Sequence, residues 1–434
     1  MIVILGAGPA GLSAAYHLER EYVVLEKNET PGGLCRSFEL GGLTFDLGGH
    51  AFFTRHEPVR ELLWNLLDGA VYTQPRSAWV HSHGAVVPYP FQANLHGLPH
   101  EIVHDCLLGL HEAARQGEPG EATNLLSWIG ATFGSGIARH FMVPYNEKVW
   151  AHPLDDIYPE WTGQRIVRPD FAEVLDGALR RRDFTSFDNA QVSYPLRGGF
   201  EGFFTPLVEA VRPNLRHEAA LELDLEARRV HTDQGRTYEY EGLVSTIPLT
   251  ALVRSTRQVP PKVQEAADRL RHNSLHLVNL VFGRPAMTEM QRLYSADPRD
   301  PFHKLVFNAN STPRPGGAPG FSVQAEVSFS AHKPVDREGL FERVLDSLTR
   351  MNVIGAGERP TASSVVTLPL AYPVYDHAWA DARRTILDHY AAHDVHCVGR
   401  FGEWLYINSD GAVHRAMNVA RRLSENPVST GFQA

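Results

Sequence analysis

The sequence predicts an α/β fold in which a Rossmann-like nucleotide-binding domain carries an inserted helical domain and an antiparallel sheet domain. Three observations support this prediction. The chain opens on an apolar run, residues 2–5, and turns at once through the glycine-rich segment GAGPAG. Apolar residues between about Leu95 and Leu179 recur every three or four positions, which is typical of helices. Short runs rich in β-branched residues between residues 275 and 370 indicate strands.

The glycine-rich segment has the spacing of a dinucleotide-binding loop. Gly6 permits the tight turn after the first strand, Gly8 lets the backbone approach a pyrophosphate, and Gly11 lets the following helix pack on the strand. The N–H groups at the start of that helix then face the phosphates. A second strand, residues 22–25, ends in Glu26, which is placed to accept the ribose hydroxyls. The predicted pyrophosphate loop comprises Gly6, Gly8, Pro9, Ala10 and Gly11.

The next loop favours FAD over NAD as the dinucleotide. The segment TPGGLCR, residues 30–36, supplies a second glycine pair just past Glu26, so the backbone can pass close to a long, flat cofactor. Residues 41–50 then lead the chain back toward the place where an isoalloxazine ring would lie. The sequence therefore predicts an FAD-binding Rossmann-like domain of the GR2 type. Further residues predicted to contact the cofactor are Lys27, Gly32, Gly33, Leu34, Arg36, Gly48, Gly49 and His50.

The size and charge of the chain limit its partners. At 434 residues the chain exceeds the size at which a single core usually stops growing, so two or three intertwined domains are expected. The formal net charge of −9 argues against nucleic acid or an anionic membrane as the main partner. The three cysteines have no C-x-x-C spacing, and no apolar run reaches the ~18 residues of a membrane span. These features predict a soluble cytoplasmic protein, with a homo-oligomer left open.

The order of the predicted elements interleaves the domains along the chain. A hairpin is expected over residues 76–90, and the run YEGLVSTI, residues 240–247, is expected to rejoin the cofactor domain as a strand. Thr312 to Gly320 is the one linker-like loop and a candidate flap over the substrate. The predicted division is an FAD-binding domain of residues 1–75, 200–250 and 388–434, a helical domain of residues 95–190, and a sheet domain of residues 76–94, 191–199 and 251–387.

Two other chemistries find no support in the sequence. His96, His100 and His104 have helical spacing, but Pro99 interrupts the run and no carboxylate completes a zinc set, so no metal site is predicted. The chain contains no G-x-S-x-G motif, so a hydrolase would lack its nucleophile elbow.

Five motifs together resemble the UDP-galactopyranose mutase family, with the eukaryotic-type branch most similar. The resemblance extends from residue 1 to about residue 425 and implies three parts: an FAD-binding Rossmann-like domain, a helical domain and an antiparallel sheet domain. It also implies a non-redox use of flavin, in which N5 of reduced FAD forms an adduct with the anomeric carbon of a UDP-hexose and displaces UDP. The motifs are GGHAFFT (48–54), YPFQ (89–92), GIARHFMVPYNEKVWAHP (136–153), YPLRGG (194–199) and GRFGEWLY (399–406).

The resemblance also implies roles for individual residues. Aromatic faces and amides suit a uridine pocket, and a guanidinium with phenols suits a diphosphate. Gly399 and Arg400 are implied to lie near the flavin and sugar, and His50 to order the flavin-facing loop. The implied catalytic set is His50, Arg165, Lys304, Tyr372, Arg400 and Tyr406; the implied uridine pocket is Tyr89, Phe91, Gln92, Asn146, Trp150 and Tyr294; the implied diphosphate ligands are Arg165, Lys304, Tyr372 and Tyr406.

Departures from the family pattern leave alternatives open. Lys304 stands where the family usually has an arginine, and Arg292 replaces a tryptophan expected two residues before Tyr294. The resemblance as a whole favours a mutase of UDP-galactose. Because of these departures, a mutase of another nucleotide sugar is the first alternative. The others are an FAD-dependent oxidase or desaturase of the amine-oxidase type and a non-catalytic binder like the GDP-dissociation inhibitors. NAD(P)H stays open as the reductant, without a second Rossmann motif to bind it.

Overall fold

The computed structural model describes residues 1–115, 122–182, 190–286, 288–313 and 320–425, so most of the predicted flap at residues 312–320 lies outside the described residues. The strands are β1 (Ile2–Leu5), β2 (Tyr22–Glu26), β3 (Ser37–Leu40), β4 (Leu43–Asp46), β5 (Val71–Pro75), β6 (Ala78–Ser82), β7 (Ala85–Pro88), β8 (Gln191–Pro195), β9 (Leu215–His217), β10 (Ala220–Asp224), β11 (Arg229–Thr232), β12 (Thr237–Glu239), β13 (Gly242–Ser245), β14 (Arg271–Phe282), β15 (Arg292–Ser295), β16 (Lys304–Val306), β17 (Phe321–Phe329), β18 (Ala362–Val374) and β19 (Val395–Cys397). The helices are α1 (Pro9–His17), α2 (Glu57–Leu66), α3 (His100–Arg115), α4 (Leu125–Ile137), α5 (Val143–Trp150), α6 (Phe171–Leu179), α7 (Thr205–Val211), α8 (Leu249–Ser255), α9 (Pro261–Arg269), α10 (Leu340–Arg350), α11 (Trp379–Ala391) and α12 (Ser409–Glu425).

A parallel sheet of five strands forms the Rossmann-like layer. Its order is β19-β13-β1-β2-β9, and every neighbouring pair is parallel. The prediction that residues 240–247 rejoin the cofactor domain is confirmed, because β13 pairs with β1 from Ile2 opposite Gly242 to Leu5 opposite Ser245. Helix α12 returns to cover α1, where the Ser13 hydroxyl donates to the Val413 carbonyl at 3.1 Å. Both ends of the described chain therefore meet in this layer.

A second sheet has seven strands in the order β18-β14-β17-β16-β15-β6-β7. All of its pairs are antiparallel except β15 with β6, which is parallel. The predicted antiparallel sheet is thus confirmed apart from this pair. The two strands are not joined by a hairpin, since the helical segment lies between them in the chain, so no turn fixes their relative direction. The predicted hairpin is β6 and β7, with Ser82 opposite Ala85.

The seven-stranded sheet has one apolar face and one polar face. Because side chains alternate along a strand, Leu293, Leu305 and Val323 point to one side, where they join the core that contains Leu340 and Val344 of α10. The intervening positions carry buried polar groups instead. This polar face consists of the buried Arg292, Tyr294, Gln324 and Glu326 and the half-buried Lys304. Buried charged side chains are costly without a partner, so a sheet face that carries them indicates a ligand site.

Helices α3 to α6 form most of the helical segment, and their inner faces join one apolar core with Phe91 and Trp150. The exact domain boundaries stay a prediction. Helix α9 and most of α11 fall inside the predicted sheet domain, yet they bury Val263 and Ile386 in the same core as Val3 of β1. Their packing therefore covers one face of the Rossmann-like layer.

Across the part of the chain that the structure describes, no helix combines the length and the apolar character needed to cross a bilayer.

Candidate active site

The glycine-rich loop forms a close-packed cradle with the second glycine pair. Gly6 has a φ of +93°, and a Cβ on Gly11 would lie 1.9 Å from the Gly6 carbonyl oxygen. The Gly32 N–H donates to the Ala7 carbonyl at 2.8 Å, and a Cβ on Gly33 would come within 3.2 Å of the Gly8 Cα. Side chains are thus excluded where the two loops meet. This geometry fits a dinucleotide whose pyrophosphate lies against bare backbone at the start of α1.

Glu26 ends β2 beside this cradle. Its side chain is buried, and its two oxygens accept hydrogen bonds from the Ala7 N–H at 2.8 Å and the Asn28 N–H at 3.0 Å. The Asn28 side-chain amide also donates to Oε1 at 2.6 Å, so Oε2 is the oxygen that keeps a lone pair for a ribose hydroxyl. On the far side, a Cβ on Gly399 would lie 2.9 Å from the Ala10 Cβ, and Arg36 donates to the Gly33 carbonyl at 3.0 Å. The structure brings these predicted cofactor residues together, whereas Lys27 points to solvent.

The predicted flavin-facing loop, residues 48–50, is held against the polar face of the seven-stranded sheet. The Gly49 N–H donates to Glu326 Oε1 at 2.6 Å, and a Cβ on Gly49 would meet Val306 at 2.4 Å. Glu326 Oε2 lies 2.9 Å from Lys304 Nζ and 3.3 Å from His303 Nε2. Burial alone would raise the pKa of Glu326, but the charges of Lys304 and His303 outweigh it and hold the pKa below its usual range. Sequence reasoning missed Glu326.

The start of this loop is anchored by a second buried carboxylate, Asp46. It accepts hydrogen bonds from the Tyr194 hydroxyl at 2.6 Å, the Ser37 hydroxyl at 2.7 Å and the Phe200 N–H at 3.0 Å. Burial raises the pKa of Asp46, and these donors offset part of that shift. The YPLRGG motif therefore has a structural use, because its tyrosine ties β8 to the strand that leads into the flavin-facing loop.

His50 is a neutral, half-buried member of the loop whose Nδ1 atom is buried. Its ring stacks on Phe200 with 4.6 Å between centroids, and its carbonyl accepts a 2.5 Å hydrogen bond from Arg292. Burial lowers the pKa of His50 to about 3, and the positive charge of Arg400 adds to the shift. In the described part of the chain Nδ1 of His50 has no hydrogen-bond partner. The imidazole is therefore uncharged at neutral pH.

This burial predicts a pH-dependent contribution to stability. An unfolded histidine takes up a proton near pH 6.5, whereas His50 in the folded protein stays neutral down to about pH 3. Acidification through this window should lower the free energy of unfolding by about 1.4 kcal/mol per pH unit at this residue alone. We expect His50→Gln to lose this slope in urea unfolding at pH 7, 6 and 5. The exposed His96→Gln control should keep it, and equal slopes in all three proteins would contradict the assignment.

An aromatic cluster lines another wall of the site. The Trp150 ring lies 5.5 Å from the Tyr406 ring, and Tyr372 lies 5.3 Å from Tyr406, in both cases edge to face. The Arg165 guanidinium sits 3.9 Å above the Tyr406 ring and donates to the Tyr406 carbonyl at 2.7 Å and to Asn408 at 3.3 Å. The structure thus brings together the predicted diphosphate ligands Arg165, Tyr372 and Tyr406. Stacking on the ring fixes the plane of the guanidinium and leaves its remaining N–H groups for a ligand.

Arg400 joins this cluster to the flavin-facing loop. Its side chain donates to the carbonyls of Ile407 at 2.8 Å and Ala371 at 3.3 Å, and its guanidinium lies 5.6 Å from the Tyr372 ring. Its charge also reaches His50 and Cys35, which places it between the two predicted halves of the site. This placement of Arg400 agrees with the implied position near the flavin and the sugar.

A third group combines phenols with cations. The Arg76 guanidinium lies 4.9 Å from the Tyr89 ring centroid and donates to the Tyr294 hydroxyl at 3.1 Å. Burial would raise the pKa of Tyr294, but the charges of Arg76 and Lys304 lower it overall. Tyr145, which sequence reasoning missed, lies edge-on to Tyr294 at 5.9 Å. Its pKa is raised well above the usual value by burial and by the neighbouring phenols. These phenols include Tyr89, Tyr294, Tyr372 and Tyr406, so the aromatic cluster and the third group lie near each other.

Four residues of the predicted uridine pocket, Phe91, Gln92, Asn146 and Trp150, are turned into the protein. Phe91 is fully buried and stacks on Phe141 at 4.8 Å. Gln92 donates to the Val167 carbonyl at 2.8 Å, and Asn146 donates to Met142 and accepts from Trp150 within one helical turn. These side chains, with Trp150, hold the wall behind Tyr89. Their predicted contact with uridine remains a prediction.

The charges of the site suit an acidic ligand. Arg165, Arg292 and Arg400, together with Arg76, have no carboxylate within ion-pair distance among the residues that the structure covers, and Lys304 shares Glu326 with His303. Unpaired cations in a buried cavity are costly without an anion to neutralise them. Arg76 follows no recognisable motif, and only its long-range contact with Tyr294 reveals its place in the site.

Comparisons with known proteins agree with this architecture. Residues 4–66 match the family of NAD(P)-binding Rossmann-like domains. Over its whole length the chain is similar to a crystal structure of reduced UDP-galactopyranose mutase, with a TM-score of 0.91, 28% identity, and coverage of 97% of this chain and 93% of that one. A protein from Exiguobacterium sp. 255-15, provisionally described as a protoporphyrinogen oxidase, shares the fold with a TM-score of 0.74, 18% identity and 98% coverage of each chain.

A curated sequence relative belongs to a different enzyme class. The coproporphyrinogen III oxidase of Mycobacterium leprae is 25% identical over 309 residues, which span 64% of this chain and 66% of the oxidase. The resemblance to UDP-galactopyranose mutase is nevertheless confirmed over the whole fold, which is that of a mixed α/β flavoenzyme with a Rossmann-like domain. The Rossmann-like domain and the flavoenzyme neighbours together imply FAD as cofactor.

Proposed function

We propose that this chain is a flavin-dependent, non-redox mutase that interconverts the pyranose and furanose forms of a nucleotide-activated hexose, with UDP-galactose as the first substrate to test. FAD would lie in the glycine cradle and would be active in its reduced state, with NAD(P)H as a candidate reductant. When bound and reduced, the flavin supplies the nucleophile for the anomeric carbon.

One observation carries the proposal: a half-buried set of guanidiniums and phenols meets the flavin-facing loop. Arg165 is stacked on Tyr406, and Arg400 lies between this pair and His50. An enzyme that detaches and reattaches a nucleoside diphosphate must hold two phosphates while the sugar changes its ring form. Cations and phenolic donors fixed beside the cofactor serve that need, because the leaving group gains negative charge as its bond to the sugar breaks.

Each wall of the site would have a separate task. The half-buried Tyr89 would offer an aromatic face to the base, and the fully buried Trp150 would support this wall from behind. Arg165 and Lys304 would hold the departing pyrophosphate, so that the same diphosphate stays available for the return step. Glu326 would fix the Gly49 N–H and thereby the loop that faces the flavin. The packed cluster around Tyr372 would limit access of water to the sugar.

An FAD-dependent oxidase is the second candidate, and the sequence relatives favour it. Coproporphyrinogen is itself a polycarboxylate, so a cationic cavity does not by itself separate the two functions. The overall shape does favour the mutase, since the TM-score is 0.91 for the mutase and 0.74 for the oxidase-like protein. The two functions are distinguished by which of the two reactions the purified protein catalyses.

The decisive experiment reduces the purified flavoprotein with dithionite without oxygen and adds UDP-galactofuranose. We expect chromatography to show conversion to UDP-galactopyranose with the reduced protein and none with the oxidised protein. Oxygen consumption is measured in parallel with coproporphyrinogen as substrate. Conversion without oxygen uptake would support the mutase, whereas oxygen-dependent turnover of the porphyrinogen without sugar conversion would reject it in favour of the oxidase.

A further inference from the structure

A buried carboxylate with three partners lies between the flavin-facing loop and Lys304. Glu326 Oε1 accepts from the Gly49 N–H at 2.6 Å, and Oε2 lies 2.9 Å from Lys304 Nζ and 3.3 Å from His303 Nε2. The side chains of Glu326 and His303 are 1% and 3% exposed, whereas that of Lys304 is 11% exposed. Lys304 is therefore the member of this group that is most open to a ligand.

The role proposed for Lys304 gives Glu326 an electrostatic problem. Lys304 is assigned to the departing pyrophosphate, yet its ammonium is paired with Glu326. A phosphate drawn to Lys304 would lie near the same carboxylate, and anions in a buried site repel strongly. The charge of Arg292 also reaches Glu326, but its guanidinium donates to the His50 carbonyl. Glu326 therefore needs another cation if it is to stay charged and keep its hydrogen bond to the loop.

His303 is placed to become that cation. Its Nε2 faces Glu326 Oε2, and its Nδ1 lies 3.4 Å from the Ser328 hydroxyl. A carboxylate and a hydroxyl can both accept hydrogen bonds, so each ring nitrogen has an acceptor when the imidazole is protonated. A neutral imidazole can donate to only one of them. The surroundings of the ring thus suit its charged form.

The groups around His303 keep its ring neutral as long as Lys304 is paired with Glu326. Burial lowers the pKa of His303, the charges of Lys304 and Lys148 lower it further, and Glu326 acts in the opposite direction. The Tyr145 ring lies edge-on at 6.3 Å. A phosphate at Lys304 would offset the charge of that lysine, and the balance would then shift toward the protonated imidazole.

We propose that His303 is a positioning residue that takes up a proton when a nucleoside diphosphate binds Lys304, and then replaces the lysine as the counter-ion of Glu326. The proton comes from solvent and forms one N–H bond on the imidazole. The Gly49 N–H keeps its carboxylate partner throughout, so the flavin-facing loop keeps its place while Lys304 holds the pyrophosphate. The inference rests on the proposed function, which assigns Lys304 to the diphosphate.

The number of protons taken up on binding tests this inference. UDP-galactose is the probe, because both ends of its diphosphate are esterified and its charge is constant near neutral pH. Titration calorimetry with the oxidised holoprotein is done in PIPES and in Tris, whose enthalpies of ionisation differ, so the difference in heat gives the protons exchanged. We expect an uptake of between about half a proton and one proton per site at pH 7. The affinity should accordingly fall as the pH rises.

Two variants and a control locate the proton. In His303→Gln the uptake should fall to near zero while UDP-galactose still binds, because the amide can donate to Glu326 but cannot gain a charge. His276→Gln removes another buried histidine of the same sheet, one that stacks on Phe329, and should keep the wild-type uptake. In Lys304→Met, His303 should already hold its proton before the ligand binds, so the uptake should again be near zero and the affinity lower.

The outcomes separate the inference from the proposed function. Failure of the wild-type protein to bind UDP-galactose would overturn both. Binding without proton uptake, or with equal uptake in the wild type and His303→Gln, would overturn the inference alone. If His303→Gln does not retain flavin, Lys304→Met decides, and an uptake of wild-type size in that variant would overturn the inference.

Discussion

Replacement of Gly11 by alanine is expected to give a destabilised protein without bound flavin. The new Cβ would lie 1.9 Å from the Gly6 carbonyl oxygen and 3.3 Å from the Thr246 hydroxyl, so the clash involves backbone that no rotamer change can relieve. Overpacking of this kind costs roughly 1–3 kcal/mol or more, and here it displaces the loop that must hold the pyrophosphate. Urea unfolding and the flavin absorbance of the purified protein measure the two effects.

Two further variants make this result specific. Gly8 has a φ of −75°, and a Cβ there would come no closer than 3.8 Å to Gly33, so Gly8→Ala should fold with little loss of stability. It should still bind FAD at least about tenfold more weakly, because the methyl group occupies the surface that the pyrophosphate approaches. Gly130→Ala in α4 meets no atom within 4 Å and should leave flavin binding unchanged. Normal flavin content in Gly11→Ala would contradict the assignment of the cradle.

Replacement of Arg165 by alanine is expected to weaken UDP binding by about tenfold to a hundredfold, since it removes charge-assisted hydrogen bonds to phosphate. The flavin spectrum should be unchanged, because the hydrogen bonds and ring contact of Arg165 are with Asn408 and Tyr406 and not with the glycine loops. Arg165→Lys should recover part of the affinity, as it restores the charge without the planar fork. Isothermal titration of UDP into the holoprotein measures all three proteins.

The neighbouring Arg168 supplies the control for that experiment. Its guanidinium also lies over an aromatic ring, 4.9 Å from Trp128, but on the helical segment away from Tyr406. Arg168→Ala should therefore bind UDP as the wild type does. Similar losses in Arg165→Ala and Arg168→Ala would indicate a general effect of removing a stacked arginine, and unchanged binding in both would remove Arg165 from the diphosphate site.

Local signals allowed the Rossmann-like part to be predicted from sequence. The turn between β1 and α1 needs glycines at fixed positions, so the spacing of residues 6–11 is recognisable in the sequence. The elements β1, α1 and β2 lie where this pattern predicts them. The direction of the β15–β6 pair is a different case. It depends on how two distant segments dock, and no local pattern carries that information.

The site was predictable only where a residue sits within a recognisable motif. The family resemblance implies Arg165, Tyr372 and Tyr406 as diphosphate ligands, and the structure brings these three side chains together. Glu326 looks like an ordinary polar residue of an alternating strand, and its role depends on a contact with Gly49, far away in sequence. Arg76 is likewise identified only through its contact with Tyr294. Pairings of this kind are set by strand register and domain docking, which single residues do not reveal.

The central position of β1 has a consequence for how the protein is made. During synthesis β1 is made long before its neighbour β13, which begins at Gly242, and β19 and α12 are made later still. Until then one edge of β1 and the face of α1 that packs on α12 have no permanent cover. The nascent chain should therefore depend on chaperones over this interval, and cofactor loading should wait until β13, β19 and α12 have been made.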